Sequence, residues 1–315
     1  MKVVIPGGSG QVGAVLAGAF AASGDDVVVL SRRPGAGPGR QVAWDGEILG
    51  PWASEIDGAD VVINLAGRSV NCRYTAANRA AMIDSRVRST RVVGEAIAHA
   101  ARPPAVWIQA STATIYAHTF GPAHDEHGAI GGHEPGVPDT WRFSIEVATA
   151  WERALEAAST PRTRKIALRS AMTMSPDRGG VFDTLLALVR RGLGGTSGDG
   201  RQYVSWVHHA DFTRAIHWLI AHEDVAGPVN VSAPEPLPNA AFMRVLREAW
   251  GTRIGLPATA WMLEVGAMVL RTETELILKS RRVVPGLLLQ HGFAFRFPDW
   301  PSAARELVQA WRAGR

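Results

Sequence analysis

The sequence predicts an α/β fold, a doubly wound parallel sheet with a smaller C-terminal substrate lobe. Three observations predict it. Short β-branched runs alternate with helical patterns through the first half of the chain, a glycine-rich stretch joins the first run to the first helix, and the alternation weakens after about residue 175. We therefore expect a Rossmann-type domain over residues 1–255, with substrate-lobe segments from about residue 175 onward, and a small C-terminal domain over 256–315.

The predicted elements follow one another in the order of a wound sheet. Strands are predicted at KVVIP (2–6), DVVVLS (26–31), QVAW (41–44), DVVINLAG (60–67), VWIQAS (106–111) and KIALRSA (165–171). Helices are predicted near 11–23, 75–101 and 140–158, and loops at the Gly- and Pro-rich stretches 192–202 and 232–239. From about Leu256 we expect a helix, a turn, a short strand in FAFRFP and an amphipathic helix.

Composition limits the classes of protein that this chain can be. Hydrophobic residues make up 46% and charged residues 20%, and no apolar run approaches the ~18 residues that a membrane span requires. Met1 and Lys2 lead directly into a strand without a secretory signal, so we expect a cytoplasmic protein without a membrane partner. The single cysteine, Cys72, excludes an internal disulfide framework. The net charge of +4 comes from scattered basic residues, which does not favour a nucleic-acid partner.

Gly7, Gly10 and Gly13 form a G-x-x-G-x-x-G pattern directly after the first predicted strand. Glycines at these positions allow a tight turn, close approach of the backbone to a pyrophosphate, and close contact between helix and strand. The N-terminus of the following helix, which starts with Gln11 and Val12, offers free N–H groups to phosphates. The pattern predicts a dinucleotide site, with a plain β–α connection as the alternative.

The end of the second strand indicates which dinucleotide this would be. An NAD site usually has an acidic residue there for the ribose 2′-hydroxyl, whereas this chain has Ser31, Arg32 and Arg33. Arginine offers a planar fork of donors to a 2′-phosphate, so we expect NADP(H). The alternative is that both arginines are ordinary solvated loop residues.

Several motifs in sequence order resemble those of the extended short-chain dehydrogenases/reductases. They are GGSGQVG at 7–13, DVVINLAG at 60–67, DSRVRST at 84–90, STATIY at 111–116, GRQYVSWVHHAD at 200–211 and GPVNVSAPEPLPN at 227–239. The chain is most similar to their atypical branch of epimerase family proteins, or nucleoside-diphosphate-sugar epimerase-like proteins, which includes short-chain dehydrogenase/reductase family 39U. The stretch ETELILKSRRVVPGLLLQHGFAFRFP is similar to the small C-terminal domain of unknown function of this branch.

The resemblance implies a catalytic hydroxyl at Thr112, but it finds no Tyr-Lys pair on the next helix. Ser144 and Ala148 stand where that pair would be. Realignment does not help, because the only tyrosines are Tyr74, Tyr116 and Tyr203 and no lysine lies between Lys2 and Lys165. The atypical branch also tends to lack the pair.

Tyr116, four residues after Thr112, is the remaining candidate acid or base. It would need a cation to lower its pKa, and Arg73, Arg86 and Arg169 are candidates. The alternative is an aromatic ring packed under the loop, with its hydroxyl bonded to a backbone carbonyl group.

Further contacts follow from the resemblance. It places Asn64, Leu65, Ala66, Gly67 and Ser111 against the cofactor, although Asn64 could instead close a turn. It places Ser205, Trp206 and His208 near the substrate, where Arg201 and Gln202 could bind an anionic or carbonyl group. Asp211 is predicted to be the N-cap of the helix that follows.

The segment from His118 to Glu134 carries four histidines and three acidic residues, but their spacing fits no zinc motif, so we predict a solvated lid and no metal. The resemblance implies an NADP(H)-binding oxidoreductase or epimerase-like enzyme that acts on a small carbonyl or hydroxyl substrate and forms a homodimer. The missing Tyr-Lys pair leaves open a non-catalytic NADP(H)-binding sensor or scaffold.

Overall fold

The computed structural model describes residues 1–259, 261–264 and 273–314, and it contains eleven strands in this part of the chain. They are β1 (Lys2–Pro6), β2 (Asp26–Ser31), β3 (Arg40–Ala43), β4 (Val61–Asn64), β5 (Val106–Thr112), β6 (Arg164–Ser170), β7 (Met172–Met174), β8 (Tyr203–Val204), β9 (Trp206–His208), β10 (Gly227–Val231) and β11 (Leu237–Pro238). Seven form a parallel sheet in the order β10-β6-β5-β4-β1-β2-β3. The winding direction reverses between β1 and β4, which is where sheets of this kind bind ligands.

Helices cover both faces of this sheet, which confirms the predicted α/β class. The long helices are α1 (Gln11–Ala22), α2 (Ala76–His99), α3 (Asp139–Ala157), α4 (Val181–Arg190), α5 (His209–Ala221), α6 (Asn239–Trp250) and α7 (Trp300–Ala313), with short helical turns at Glu275–Leu278 and Gly286–Gln290. Side chains alternate along β1, so Val3 and Ile5 pack against α1 and α5, whereas Val4 packs on the side of α2 and α3. None of the helices in the described ranges is both long enough and apolar enough to cross a membrane.

The second lobe is built around its own apolar core. Helices α4, α6 and α7 enclose Trp206 and Trp300, whose ring centroids are 4.9 Å apart. Two small sheets, β8 with β11 and β7 with β9, connect this core to the main sheet. Part of the helix predicted after Leu256 falls on residue 260 and residues 265–272, which lie outside the described residues.

The strand predicted in FAFRFP does not form, because the Asp211 side chain binds the backbone of this segment. Its buried carboxylate accepts the backbone N–H groups of Arg296 and Phe297, at 2.8 and 2.7 Å. These groups therefore bond to a side chain instead of a neighbouring strand. The prediction of Asp211 as the N-cap of α5 was wrong, because the cap is His208, whose Nδ1 accepts from Ala210 N–H at 3.1 Å.

His208 is held in its neutral form by this environment. The side chain is 1% exposed, and its Nε2 lies 2.7 Å from Glu306 Oε2. Because Nδ1 accepts a hydrogen bond, Nε2 carries the proton and donates it to Glu306. Burial lowers the pKa of His208 to about 4, and the hydrogen bond with Glu306 offsets this only in part.

We expect His208→Asn to remove part of the acid sensitivity of the fold. An unfolded histidine has a pKa near 6.5, so the unfolded state binds the proton first as pH falls and the free energy of unfolding decreases between about pH 6.5 and pH 4. Asparagine keeps the capping acceptor without titrating. Urea unfolding at pH 7 and pH 5 should show that wild type loses about 2 kcal/mol more than the variant. Equal losses would contradict this role of His208.

Candidate dinucleotide site and active-site cleft

The glycine-rich loop is tightly packed at Gly7 and Gly13 and open at Gly10. Gly7 has a φ of +73°, and a Cβ there would lie 2.6 Å from Ala66 Cα. A Cβ on Gly13 would lie 2.3 Å from Gly8 O, so helix and loop are in direct contact. Nothing lies within 4 Å of a Cβ on Gly10, the N-cap of α1, and α1 has neither a side-chain cap nor an acidic residue in its first turn. The loop therefore presents uncapped N–H groups on an open side, as a phosphate site requires.

Gln11 adds a side-chain donor next to these groups. Its Nε2 is buried and has no hydrogen-bond partner among the described residues. Gly180, at the start of α4 in the second lobe, lies opposite, and a Cβ on it would be 1.8 Å from Gln11 Nε2. Val12 packs with Leu65 against the core beneath the loop. An unsatisfied buried donor at the loop fits a bound anionic group.

The end of β2 is hydrogen-bonded to the loop and is followed by two exposed arginines. Ser31 Oγ donates to Ser9 Oγ at 3.1 Å and accepts from Arg33 N–H at 3.2 Å. Arg32 and Arg33 are exposed, and within the described ranges neither guanidinium forms an ion pair with a carboxylate. This end of the sheet can therefore hold a phosphate group beside the loop.

The backbone after β4 lies beside the glycine-rich loop, at the carboxyl edge of the sheet. We call the space between this edge and the second lobe the cleft. Asn64 is fully buried, donates to Gln109 Oε1 at 2.9 Å and accepts from Ala66 N–H at 3.1 Å. Asn64 thus closes a turn, as in the alternative interpretation. Gly67 is exposed at the cleft, and a Cβ on it would lie 3.2 Å from the guanidinium carbon of Arg86.

Thr112 at the end of β5 keeps a hydroxyl proton available. Its Oγ1 accepts from Thr114 N–H at 3.2 Å and starts the turn Ala113–Ile115. A hydroxyl that accepts one bond can still donate its own proton. Ser111, in contrast, donates to Glu152 Oε1 at 2.5 Å, so its hydroxyl bonds to the protein framework.

Tyr116 is buried, and its hydroxyl bonds to residues of β6 and β10 rather than facing the cleft. The side chain is 2% exposed, its hydroxyl donates to Asn230 Oδ1 at 2.8 Å, and it accepts from Arg169 at 2.9 Å. Burial raises the pKa of Tyr116, and the hydrogen bond from Arg169 offsets this only in part. The geometry favours the packing alternative for Tyr116 over a role in proton transfer.

The residues predicted to contact a substrate divide into one exposed and four buried side chains. Arg201 is exposed and lies over the ring of Phe120, whereas Gln202, Ser205, Trp206 and His208 are at most 3% exposed. Gln202 donates to the carbonyl oxygen of Ser197, and Ser205 to that of Arg281, each at 2.8 Å. These four side chains belong to the framework between the lobes, and Arg201 alone stays a candidate substrate contact.

The His-rich segment is fastened to the C-terminal lobe, unlike the solvated lid expected from its composition. His124 N–H donates to the carbonyl oxygen of Arg282 at 2.8 Å, and Ser280 N–H donates to His118 Nδ1 at 2.9 Å. The His124 ring also stacks on Tyr116. These contacts connect the segment to residues about 160 positions away, which composition could not indicate.

Tyr74 is the cleft residue that sequence reasoning missed. Its hydroxyl lies 3.4 Å from Ser144 Oγ on α3, although it comes from the loop between β4 and α2. Glu273 of the C-terminal lobe accepts Tyr74 N–H at 2.7 Å. The available signal was its position directly before Thr75, the N-cap of α2, which places it at the carboxyl edge of the sheet.

We expect Gly13→Ala and Gly10→Ser to separate closed from open positions of the loop. Alanine at 13 forces the backbone of Gly8 to move and should destabilise the fold by about 1–3 kcal/mol. Serine at 10 meets open space and is a favourable N-cap, so its effect should be within about 0.5 kcal/mol. Urea denaturation of both variants tests this, and equal destabilisation would contradict it.

Tyr116→Phe should destabilise the protein by about 1–3 kcal/mol, because it removes the buried donor to Asn230 Oδ1 and one of the acceptors of Arg169. Tyr203→Phe is the matched control, since the Tyr203 hydroxyl has no hydrogen-bond partner in the described structure. Its change should stay within about 0.5 kcal/mol. Thermal and urea unfolding measure both, and a neutral Tyr116→Phe would show that the network is not a stabilising one.

Comparison with known proteins agrees with this geometry. Human epimerase family protein SDR39U1 is 29% identical over 311 residues, which cover 98% of this chain and all of that protein. An epimerase family protein of Mycobacterium tuberculosis is 30% identical over 301 residues, 93% of each chain. The crystal structure of human SDR39U1 (isoform 2) with NADPH superposes with a TM-score of 0.85 at 27% identity, covering 98% of this chain and 99% of that one.

Two family models together match most of the sequence. A domain of unknown function matches residues 258–307. The NAD dependent epimerase/dehydratase family matches residues 3–232, which include the glycine-rich loop and every strand of the parallel sheet. These matches confirm the resemblance seen in the motifs: the chain belongs to the NAD dependent epimerase/dehydratase family.

Proposed function

We propose that this protein is an NADP(H)-dependent oxidoreductase or epimerase-like enzyme that acts on a carbonyl or hydroxyl group of a small molecule. The observation that carries the proposal is that two phosphate-binding features lie together where the winding of the sheet reverses. An open, uncapped helix N-terminus lies beside two exposed arginines that have no carboxylate partner in the described residues. The human relative crystallised with NADPH supports the choice of cofactor.

The residues that would hold the cofactor follow from the geometry. The N–H groups at the start of α1, with the Gln11 amide, fit the pyrophosphate. Arg32 and Arg33 fit the 2′-phosphate, because a guanidinium fork matches phosphate oxygens. The backbone at Ala66 and Gly67 lies at the same edge and fits the nicotinamide half. When bound, the nicotinamide supplies or accepts a hydride.

The protein itself positions the substrate oxygen. Thr112 can donate its free hydroxyl proton to a carbonyl oxygen and so hold the carbonyl carbon at the end of β5. Arg201, exposed on the second lobe, can bind an anionic substituent of the same molecule. The substrate would thus lie between the carboxyl edge of the sheet and the second lobe.

The second candidate is a non-catalytic NADP(H)-binding sensor or scaffold. The burial of Tyr116, together with Ser144 and Ala148 on α3, favours it, because none of these supplies an accessible acid or base. The accessible hydroxyl of Thr112 and the exposed Arg201 favour the enzyme. Oxidation of NADPH by a panel of aldehydes, ketones and nucleoside-diphosphate sugars separates the two: turnover excludes a pure sensor.

We expect Arg32→Ala to weaken NADPH binding about 10- to 100-fold and to leave NADH binding unchanged, because a charge-assisted hydrogen bond to the 2′-phosphate is lost. Titration followed by nicotinamide fluorescence measures both. Arg40→Ala is the matched control, since Arg40 lies at the amino-terminal end of the neighbouring strand β3, away from the carboxyl ends of the strands, and is paired with Glu55. Equal loss for both nucleotides, or the same loss in Arg40→Ala, would contradict a 2′-phosphate contact.

A further inference from the structure

A carbonyl reduction needs a proton for the substrate oxygen, and Thr112 alone does not provide a strong source. Tyr116, with its hydroxyl bonded to Asn230 and Arg169, is enclosed in the framework. The following inference rests on the proposed function and concerns which residues supply that proton.

The Tyr74 side chain is 9% exposed, and its hydroxyl contacts Ser144 on α3. Burial and the charge of Glu275 raise the pKa of Tyr74 to about 12, so the phenol keeps its proton at neutral pH. Ser144 is half-buried, and its hydroxyl donates to the Thr140 carbonyl oxygen at 3.2 Å. Because that proton is used, the Tyr74 hydroxyl is the donor in the 3.4 Å contact with Ser144 Oγ. A bond of this length is weak. A carbonyl oxygen that enters the cleft can therefore replace Ser144 as the acceptor.

Ser144 lies on the stripe of α3 that faces the end of β5. Ala148, one turn further, is fully buried and packs with Ala113 and Ile115 in the turn after Thr112. Glu152, one turn beyond that, accepts from Ser111. Residues four apart share one helix face, so Ser144, the partner of Tyr74, lies on the same face of α3 as Ala148, which packs against the turn that Thr112 begins.

Arg86 places a cation along the same stripe. Its guanidinium carbon lies 4.8 Å from the ring centroid of Trp151, and its NH1 donates to the Met82 carbonyl oxygen at 3.0 Å. Arg86 is 8% exposed and, within the described residues, has no carboxylate partner. Burial lowers the pKa of Arg86 to about 10, so the guanidinium stays charged at neutral pH. The negative charge of an ionised Tyr74 is the largest charge effect that raises this pKa.

The loop that carries Tyr74 is fixed by surrounding groups. Glu273 accepts its N–H and pairs with Arg73 at 3.2 Å, Arg79 Nε donates to its carbonyl oxygen at 2.9 Å, and Phe143 packs edge-on against its ring. The phenol is therefore held in place before any ligand binds, which is what efficient proton transfer requires.

We propose that Tyr74 is the catalytic proton donor to the substrate oxygen and that Arg86 is the cation that stabilises its phenolate. In the reductive direction the carbonyl carbon accepts a hydride from the reduced nicotinamide. The electron pair of the C=O π bond then forms an O–H bond with the proton of Tyr74 Oη, and the broken O–H bond of Tyr74 leaves a phenolate. The carbonyl is reduced to an alcohol, the nicotinamide is oxidised, and the phenolate regains a proton from solvent. Oxidation of an alcohol is the reverse.

The presence of only three tyrosines allows a test that needs no substrate. Biosynthetic 3-fluorotyrosine gives three fluorine resonances, which Tyr74→Phe, Tyr116→Phe and Tyr203→Phe assign. The ring fluorine makes each phenol more acidic and so lowers the pKa of Tyr74 from the value of about 12 that burial gives it. The charged groups around Tyr74 are Arg73, Arg79, Arg86, Glu273, Glu275 and Arg281. Substituting Arg86 alone keeps the others constant.

We expect saturating NADP+ to shift the Tyr74 resonance and leave Tyr203 unchanged. Arg86→Met should lower the acid dissociation constant of Tyr74 about tenfold, since a cation in a partly buried site favours the phenolate. Arg86→Lys should restore most of the acid dissociation constant of Tyr74, because lysine keeps the positive charge. This variant separates a charge effect from altered folding. A Tyr74 resonance that ignores NADP+, or a dissociation constant unchanged in Arg86→Met, would overturn the proposal.

Turnover gives the second readout. With any carbonyl compound that the wild type reduces, Tyr74→Phe should lower kcat about 10²- to 10⁴-fold, the range of general acid catalysis, while the NADPH dissociation constant stays within about twofold. Tyr203→Phe should change neither. If wild type binds no NADP(H), the proposed function fails first; if it binds and turns over while Tyr74→Phe keeps full kcat, only the assignment of Tyr74 fails.

Discussion

The buried ion pair between Arg169 and Glu152 fixes the edge of the sheet on which the cleft depends. Both guanidinium contacts measure 2.8 Å, and the pair joins β6 to α3. Ser111 at the end of β5 donates to the same carboxylate, and Tyr116 connects Arg169 to Asn230 on β10. Burial disfavours the charge of Arg169, but Glu152 outweighs this, so the arginine pKa is raised. Separating the two partners of such a pair would leave a buried charge without a partner. The pair therefore fixes the positions of β5, β6, β10 and α3 relative to one another.

The C-terminal lobe extends this framework to the loops of the cleft. Glu273 holds the Tyr74 loop, and the fully buried Lys279 donates to the carbonyl oxygen of Thr114 at 2.7 Å. Burial lowers the pKa of Lys279 to about 8. Ser205 accepts from Val283 N–H at 2.8 Å and so connects the second lobe to the same segment. The C-terminal part of the chain thus holds the loops beside the edge of the sheet at which the glycine-rich loop lies.

The two halves of the cleft differ in how much of their geometry is local. The glycine-rich loop is mostly local: Gly13 is constrained by Gly8, five residues away, Gly7 by Ala66, and Gly10 faces open space. The substrate half is not, because Tyr74 meets Ser144 across 70 residues and Glu273 across 199. The same holds for Tyr116, whose partners Arg169 and Asn230 come from two other strands.

The sequence by itself determined the wound sheet, the phosphate loop and the arginines after β2, because hydrophobic period, glycine spacing and strand-end chemistry are properties of short segments. It also determined that no Tyr-Lys pair exists on α3. Only the tertiary structure decided that Tyr116 is buried, that His208 rather than Asp211 caps α5, and that Tyr74 and Arg86 contact Ser144 and Trp151 of α3. Those outcomes depend on which distant segments pack together, and burial and hydrogen bonding between distant segments leave no periodic signal in the chain.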